Sequence, residues 1–332
     1  MRAGNIKWER VTTRLIVVVI SFAAATVIVW ATVRNSFESR SQGAVNETKA
    51  KSVEQLDGQR KKYATIRSVH IVADAQIAVF GANFRVGNGS YEYWAEGDLY
   101  KMKCHTDRNL GFLTDVDVSY DGKQFYFFDR ASGILSYQQQ DVTKTTGALP
   151  NPLFMPIDFL SIDDDDCHFC ALRMSDLKSP SARWEDRASR IEVKSQGRDA
   201  TAGYPVTNLE MPGGIKGKQA FKFGVRMADT GNGEVRITRI DRVGLDGKLL
   251  TSTTFDHFAA SGLGEFPRTI SLEGFDADSN RIARMTYTIK TLDVNQPIEK
   301  SFFAIGFDEA EGVWDSDGRR FVKEKQPKPM RP

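Results

Sequence analysis

From Val69 to Val79 every odd position is apolar (Val69, Ile71, Ala73, Ala75, Ile77 and Val79), and Ser68, His70, Asp74 and Gln76 stand among the even ones. A side-chain period of two belongs to a strand with one dry and one wet face, and a helix cannot reproduce it. The alternation returns further along. Tyr100, Met102 and Cys104 alternate with Lys101, Lys103 and His105, and Val116, Val118 and Tyr120 with Asp115, Asp117 and Ser119. Phe221, Phe223, Val225 and Met227 alternate with Lys222 and Arg226, Val235 and Ile237 follow, and Met285, Tyr287 and Ile289 form one side of a late strand. Asp121-Gly122, Asp246-Gly247 and Asp317-Gly318 mark tight turns, where glycine tolerates positive φ. The pattern predicts a mainly β, α+β body built on a long antiparallel sheet, wet on one face and dry on the other. Helical periodicity is confined to 47–66, where Val53, Leu56, Tyr63 and Ile66 share a face despite Gly58, and to a stretch near Pro152–Leu160.

A second feature sets where that body resides. Leu15 to Val33 runs for nineteen positions without a charge, and Leu, Ile, Val and Phe fill eleven of them. At about 1.5 Å per residue such a helix spans nearly 30 Å, the hydrocarbon thickness of a bilayer. Arg2, Lys7, Arg10 and Arg14 precede the run, opposed by Glu9. That asymmetry predicts a single-pass inner-membrane anchor with the N-terminus cytoplasmic and the body periplasmic. The alternative is a signal peptide cleaved after the small residues Ala23-Ala24-Ala25, which would leave the body secreted. The expected organisation is a cytoplasmic N-terminus at 1–14, the anchor at 15–33 and a polar tether at 34–50. A β-rich domain then spans 51–322 with an insertion at about 150–203, and the Pro-rich basic tail 323–332 is expected to be disordered.

Composition narrows the function classes. The 332 residues carry 45 Lys+Arg against 43 Asp+Glu, a formal charge of +2, so no basic excess points to nucleic acid. Hydrophobic residues at 41% and aromatics at 11% supply a real core. Three cysteines in a chain of this length exclude a disulfide-dense scaffold.

Few residue groups promise chemistry. Cys167-His168-Phe169-Cys170 is the sharpest, and in an exported compartment it reads first as a disulfide between Cys167 and Cys170. A metal half-site and a redox pair are its alternatives, although a redox motif should open a helix after a strand. Cys104 is then left unpaired on a buried strand face. Asp163 to Asp166 read as a solvated acidic loop. Asp276, Asp278 and Asn280 match the first ligand positions of a calcium loop, but Arg281 and Tyr287 stand where Gly and Glu are required, so a hairpin turn is expected. The four histidines, His70, His105, His168 and His257, are scattered, and no nucleophile elbow or P-loop occurs. No catalytic residue, metal ligand or cofactor is assigned.

The order of elements resembles a known family. A helix and a long strand lead into Trp94, Gly97, Tyr100 and Lys101, then Asp121, Gly122, Lys123, Phe125 and Asp129; later come Asn295, Pro297, Ile298, Phe302 and Phe303. These residues resemble the motif series of LolA/LolB-like and RseB-like lipoprotein carriers, over about 47–145 and 215–315. The composite with the D-D-D-C-x-F-C element resembles a membrane-anchored, planctomycete-type bacterial subgroup. The resemblance implies a strongly curved antiparallel half-barrel with covering helices, holding an acyl chain of a lipid or lipoprotein in its apolar concavity. The lining would be Tyr93, Trp94, Tyr100, Met102, Val118, Tyr120, Phe125, Phe127, Phe223, Val225, Tyr287 and Ile289. Ordinary sheet packing is the competing role for the aromatic members, Tyr91 among them. Two other functions stay open: a non-enzymatic envelope sensor or interaction module whose cavity is filled, and a thiol–disulfide oxidoreductase using Cys167 and Cys170.

Overall fold

A computed structural model describes residues 45–81, 84–107, 115–139, 151–157, 188–198, 203–215, 218–231, 235–262 and 264–323. The expected anchor, the Cys167–Cys170 pair and the acidic run Asp163–Asp166 lie outside them. Among the described residues no helix is long and apolar enough to cross a membrane. The chain divides into two compact units, 1–51 and 52–332. In the first, the described residues are the start of helix α1, which runs over 45–64 and so takes up the last part of the expected tether.

Among the described residues, the second unit holds the rest of α1 and one sheet of fifteen strands in the order β15-β14-β6-β5-β4-β3-β2-β1-β13-β12-β11-β10-β9-β8-β7. It is curved and does not close. The front half comprises β1 (Ser68–Val79), β2 (Arg85–Glu96), β3 (Leu99–Thr106), β4 (Asp115–Tyr120), β5 (Phe125–Asp129) and β6 (Ile134–Gln138). β7 (Glu192–Arg198), β8 (Pro205–Ile215), β9 (Lys218–Asp229), β10 (Val235–Gly244), β11 (Leu249–Ser261), β12 (Gly264–Phe275) and β13 (Arg281–Val294) follow as a meander. β14 (Gly312–Asp315) and β15 (Arg320–Lys323) complete the chain. Residues of the expected insertion supply β7, an edge strand, and the described part of the helical stretch expected near 152–160 holds a 3₁₀ turn at Met155–Ile157.

Pairing is antiparallel except between β14 and β6. β1 is the hinge of the order, pairing with β2 on one side and with β13 on the other. At two of the three predicted turns Gly122 and Gly247 hold φ of 93° and 83°, the left-handed region that favours glycine; at Asp317-Gly318 the left-handed residue is instead Arg319, at φ 49°. One glycine is required by proximity instead. A Cβ on Gly89 would lie 1.9 Å from the backbone oxygen of His105, so β2 and β3 approach there in a way no side chain allows.

The main core occupies one face of the sheet. It joins Val69, Ile71, Ala73, Ala75 and Ile77 of β1 to Tyr91, Tyr93, Tyr100, Met102, Cys104, Val116 and Val118, and across the other half to Phe223, Val225, Ile240, Phe255, Ile270, Tyr287 and Ile289. Leu56 and Tyr63 of α1 and Leu153, Phe154 and Met155 pack into the same cluster. Gly58 sits inside the helix with nothing within 4 Å of a Cβ, and neighbouring packing carries the helix past it. A smaller core of Tyr126, Phe128, Leu135, Ile305, Ala310 and Val313 lies on the opposite face. It follows from QFYFFD, whose consecutive aromatics serve both faces of one strand.

Candidate functional site

The expected lining residues can now be placed. Tyr93, Tyr100, Met102, Val118, Phe125, Phe223, Val225, Tyr287 and Ile289 belong to the main core, and Tyr120 and Phe127 pack against it. Register explains the convergence: Tyr93 faces Met102, Met102 faces Val118, and Val118 faces Phe127 on successive strands. Tyr93, Tyr100, Met102, Phe223 and Tyr287 are all 0% exposed, so this apolar surface is covered. Five tyrosines contribute to it, Tyr63, Tyr91, Tyr93, Tyr100 and Tyr287, and burial raises the pKa of Tyr63.

Trp94 is the exception and a correction to the expected lining. It follows Tyr93 directly, and the pleat sends successive side chains to opposite faces. Its ring stacks on His70 with centroids 4.9 Å apart, and Phe302 meets it edge-on at 4.9 Å. The Lys103 amine lies over the same ring, 5.4 Å from its centroid.

That opposite face carries the polar cluster. Asp117 is 0% exposed on β4, and one of its oxygens receives Nε of Arg130 at 3.0 Å and the Arg130 Nη2. The bond from Asp117 raises the Arg130 pKa further. His105 lies between two carboxylates, its Nδ1 bonded to Asp115 and its Nε2 3.6 Å from Asp117. A strap formed by residues 296–310 crosses this face. Lys101 donates to the Phe302 carbonyl at 3.1 Å, and the Ser119 hydroxyl donates to the Tyr100 carbonyl at 2.9 Å and to the Phe303 carbonyl. Burial, with Lys103 beside it, lowers the Lys101 pKa. The quoted late motif acquires a structural meaning here. Asn295, at φ 59°, accepts the Arg67 amide at 2.7 Å, and Glu96 accepts the Ile298 amide at 3.3 Å, so the motif turns the chain onto the strap.

Other expectations resolve plainly. Cys104 is a free, buried cysteine. The Asp276 carboxylate accepts the amides of Asp278 and Asn280, both at 2.9 Å, which makes this segment a self-capped hairpin turn. Among the described residues no group of three or more His, Cys, Asp or Glu is arranged to hold a metal ion. A hollow of about 390 Å³ is lined by Arg190, Glu192, Glu210, Met211, Pro212 and Lys222. Its lining mixes Met211 and Pro212 with an ion-paired cluster: Glu210 accepts from Lys222 at 2.8 Å and pairs with Lys194 at 3.3 Å, which lowers the Glu210 pKa.

No protein-family model and no curated protein matches the sequence. By structure the chain is similar to a DUF1329 family protein from Desulfovibrio piger, at 11% identity and TM-score 0.46, over 76% of this chain and 96% of that one. It is also similar to a LolA superfamily protein from Nitrosomonas europaea, at 11% identity and TM-score 0.41, over 76% and 98% of the two chains. A third is an outer membrane lipoprotein-sorting protein domain from Vibrio parahaemolyticus, at 12% identity and TM-score 0.42, over 76% and 95%.

Proposed function

We propose that the chain is a membrane-tethered envelope protein, anchored by residues 15–33, that binds an acyl chain of a lipid or lipoprotein against the core face of its sheet. The observation that carries this reading is the reach of that face. It is apolar from Val118 on β4 through Tyr93 and Tyr287 to Val225 on β9, and its described cover is made of short pieces: Val53, Leu56 and Tyr63 of α1, and Leu153, Phe154 and Met155. Transfer of a sixteen-carbon chain from water is worth about 13 kcal/mol at roughly 0.8 kcal/mol per methylene. Uncovering Leu56 and Tyr63 costs about 1.5–3 kcal/mol each, which leaves a margin for the entropy of association as long as Leu153, Phe154 and Met155 stay in place. The ligand would therefore replace part of the cover instead of entering a standing hollow.

Native mass spectrometry of the purified chain, with uptake of a fluorescent fatty acid, tests this. Co-purifying lipid or saturable uptake is expected. Recovery free of lipid with no uptake would sink it.

A second reading has its own observation. Tyr93, Tyr100, Met102 and Phe223 are wholly buried, as side chains are in a solid core. In that case the protein is an interaction module that binds a protein partner and no lipid. Edge strand β7, exposed at most of its positions, is where a partner strand would add.

A further inference from the structure

One end of the sheet carries a row of exposed apolar side chains. Register puts the β1–β2, β10–β11 and β12–β13 connections together there, since Val79 pairs with Arg85 and Ala283, Phe275 with Arg281, Thr251 with Gly274 and Val243 with Leu249. Phe84 is 62% exposed, Leu245 63%, Ile282 45% and Leu250 41%. Five strand spacings separate β10 from β2, so the row extends about 24 Å at roughly 4.8 Å per spacing.

Cationic side chains are interleaved with it. The Arg281 guanidinium lies 4.3 Å over the Phe80 ring, whose centroid is 5.5 Å from that of Phe84. The Lys248 amine bonds the Ala277 carbonyl and ties two of the turns together. Acidic groups share the rim, and Asp278 of the β12–β13 turn is exposed. Glu273 takes Arg281 at 2.6 Å and Arg284 at 2.9 Å, Asp276 caps its own turn, and Asp246 accepts the Lys248 amide at 3.1 Å.

We propose that this rim enters the interfacial region of a phospholipid bilayer. Phe, Leu and Ile tips suit that region, where rings and aliphatic groups sit among acyl carbons, and the Arg281 and Lys248 stems flank them with their charged ends held by Glu273 and the Ala277 carbonyl. A row one side chain wide does not supply the roughly 800 Å² per partner of a stable protein interface, whereas a deformable phase accepts separate tips. The chain also carries Leu15–Val33, an uncharged run long enough to hold it at a bilayer. The inference deepens the lipid-binding reading, and rests on it for its purpose: docking would bring membrane lipid to the end of the core face.

The test uses the full chain in phosphatidylethanolamine/phosphatidylglycerol vesicles, in a Cys167→Ser, Cys170→Ser background. An environment-sensitive fluorophore is placed at Phe84→Cys, at Leu245→Cys, or at Asp98→Cys in the β2–β3 turn at the other end. Blue-shifted emission and quenching by nitroxide-labelled lipid are expected at 84 and 245 and not at 98. Aqueous emission at both rim positions overturns the proposal, and so does cross-linking of position 84 to a second copy. Fatty-acid uptake measured on the same samples separates the two ideas. Docking without uptake leaves the rim assignment standing and removes acyl binding; uptake without docking does the reverse.

Discussion

The rings of Tyr91 and Tyr287 meet edge to face across β1, their centroids 5.2 Å apart. They belong to β2 and β13, and they touch because β1 offers only methyl groups between them: Ala73 is paired with Tyr91 and Ala75 with Tyr287. Ala75→Leu would put three further carbons beneath the pair. In a filled core this costs about 1–3 kcal/mol, read as a lower urea midpoint at unchanged slope. An unchanged midpoint would show that space stands open over β1, the arrangement an acyl chain needs.

Asp117 predicts a different kind of loss. Its charge is fully buried and depends on Arg130, whose side chain is 32% exposed and also lies 3.7 Å from Glu309 of the strap. Arg130→Ala strands the carboxylate and should cost about 1–3 kcal/mol, discounted for the exposure of the arginine. Adding Asp117→Asn should recover part of it, because the stranded charge is gone. Denaturant unfolding of both single variants and the double variant checks this. Additive losses would show that the two residues do not act as a pair.

Cys104 gives a pH dependence with a definite sign. Burial, with Asp115 and Asp117 adding to it, pushes its thiol up to about 12 from an ordinary 9.0. Between those values the unfolded chain releases a proton that the folded chain keeps, so stability falls as pH rises through the interval. Cys104→Ala should flatten that part of the stability curve. In a Cys167→Ser, Cys170→Ser background the folded protein should leave thiol reagents unreacted at pH 8. Rapid labelling in native buffer would contradict this.

Much of this architecture is legible in the sequence, for a physical reason. In β1 one face is dry and the other is mostly polar, so parity along the sequence names the buried residues; in β3 and β4 it names the main-core face and misses Lys101, Asp117 and Ser119, which are buried on the other. Asp-Gly turns fixed where strands reverse. Parity failed to settle the face where both sides are covered. Phe125 and Phe127 serve the main core while Tyr126 and Phe128 serve the smaller one, and an unbroken aromatic run does not say which is which. Trp94 was legible and misassigned: its odd step from Tyr93 already placed it opposite. The strap gave little warning, since Lys101, Ser119 and Asp117 look like solvent-facing residues until a distant segment covers them. The parallel contact of β14 with β6 left no local trace at all.

The place of β1 in the strand order has a consequence for biogenesis. Val69 finds Ala95 almost at once but waits for Val294, near the end of the chain, on its other side. A polypeptide emerging N-terminus first therefore holds a long, half-satisfied ribbon open while most of its length is still being delivered. During that interval any stray extended segment can occupy the vacancy, and a product cut short before β13 never fills it. Truncation near the C-terminus would thus damage the middle of the molecule first.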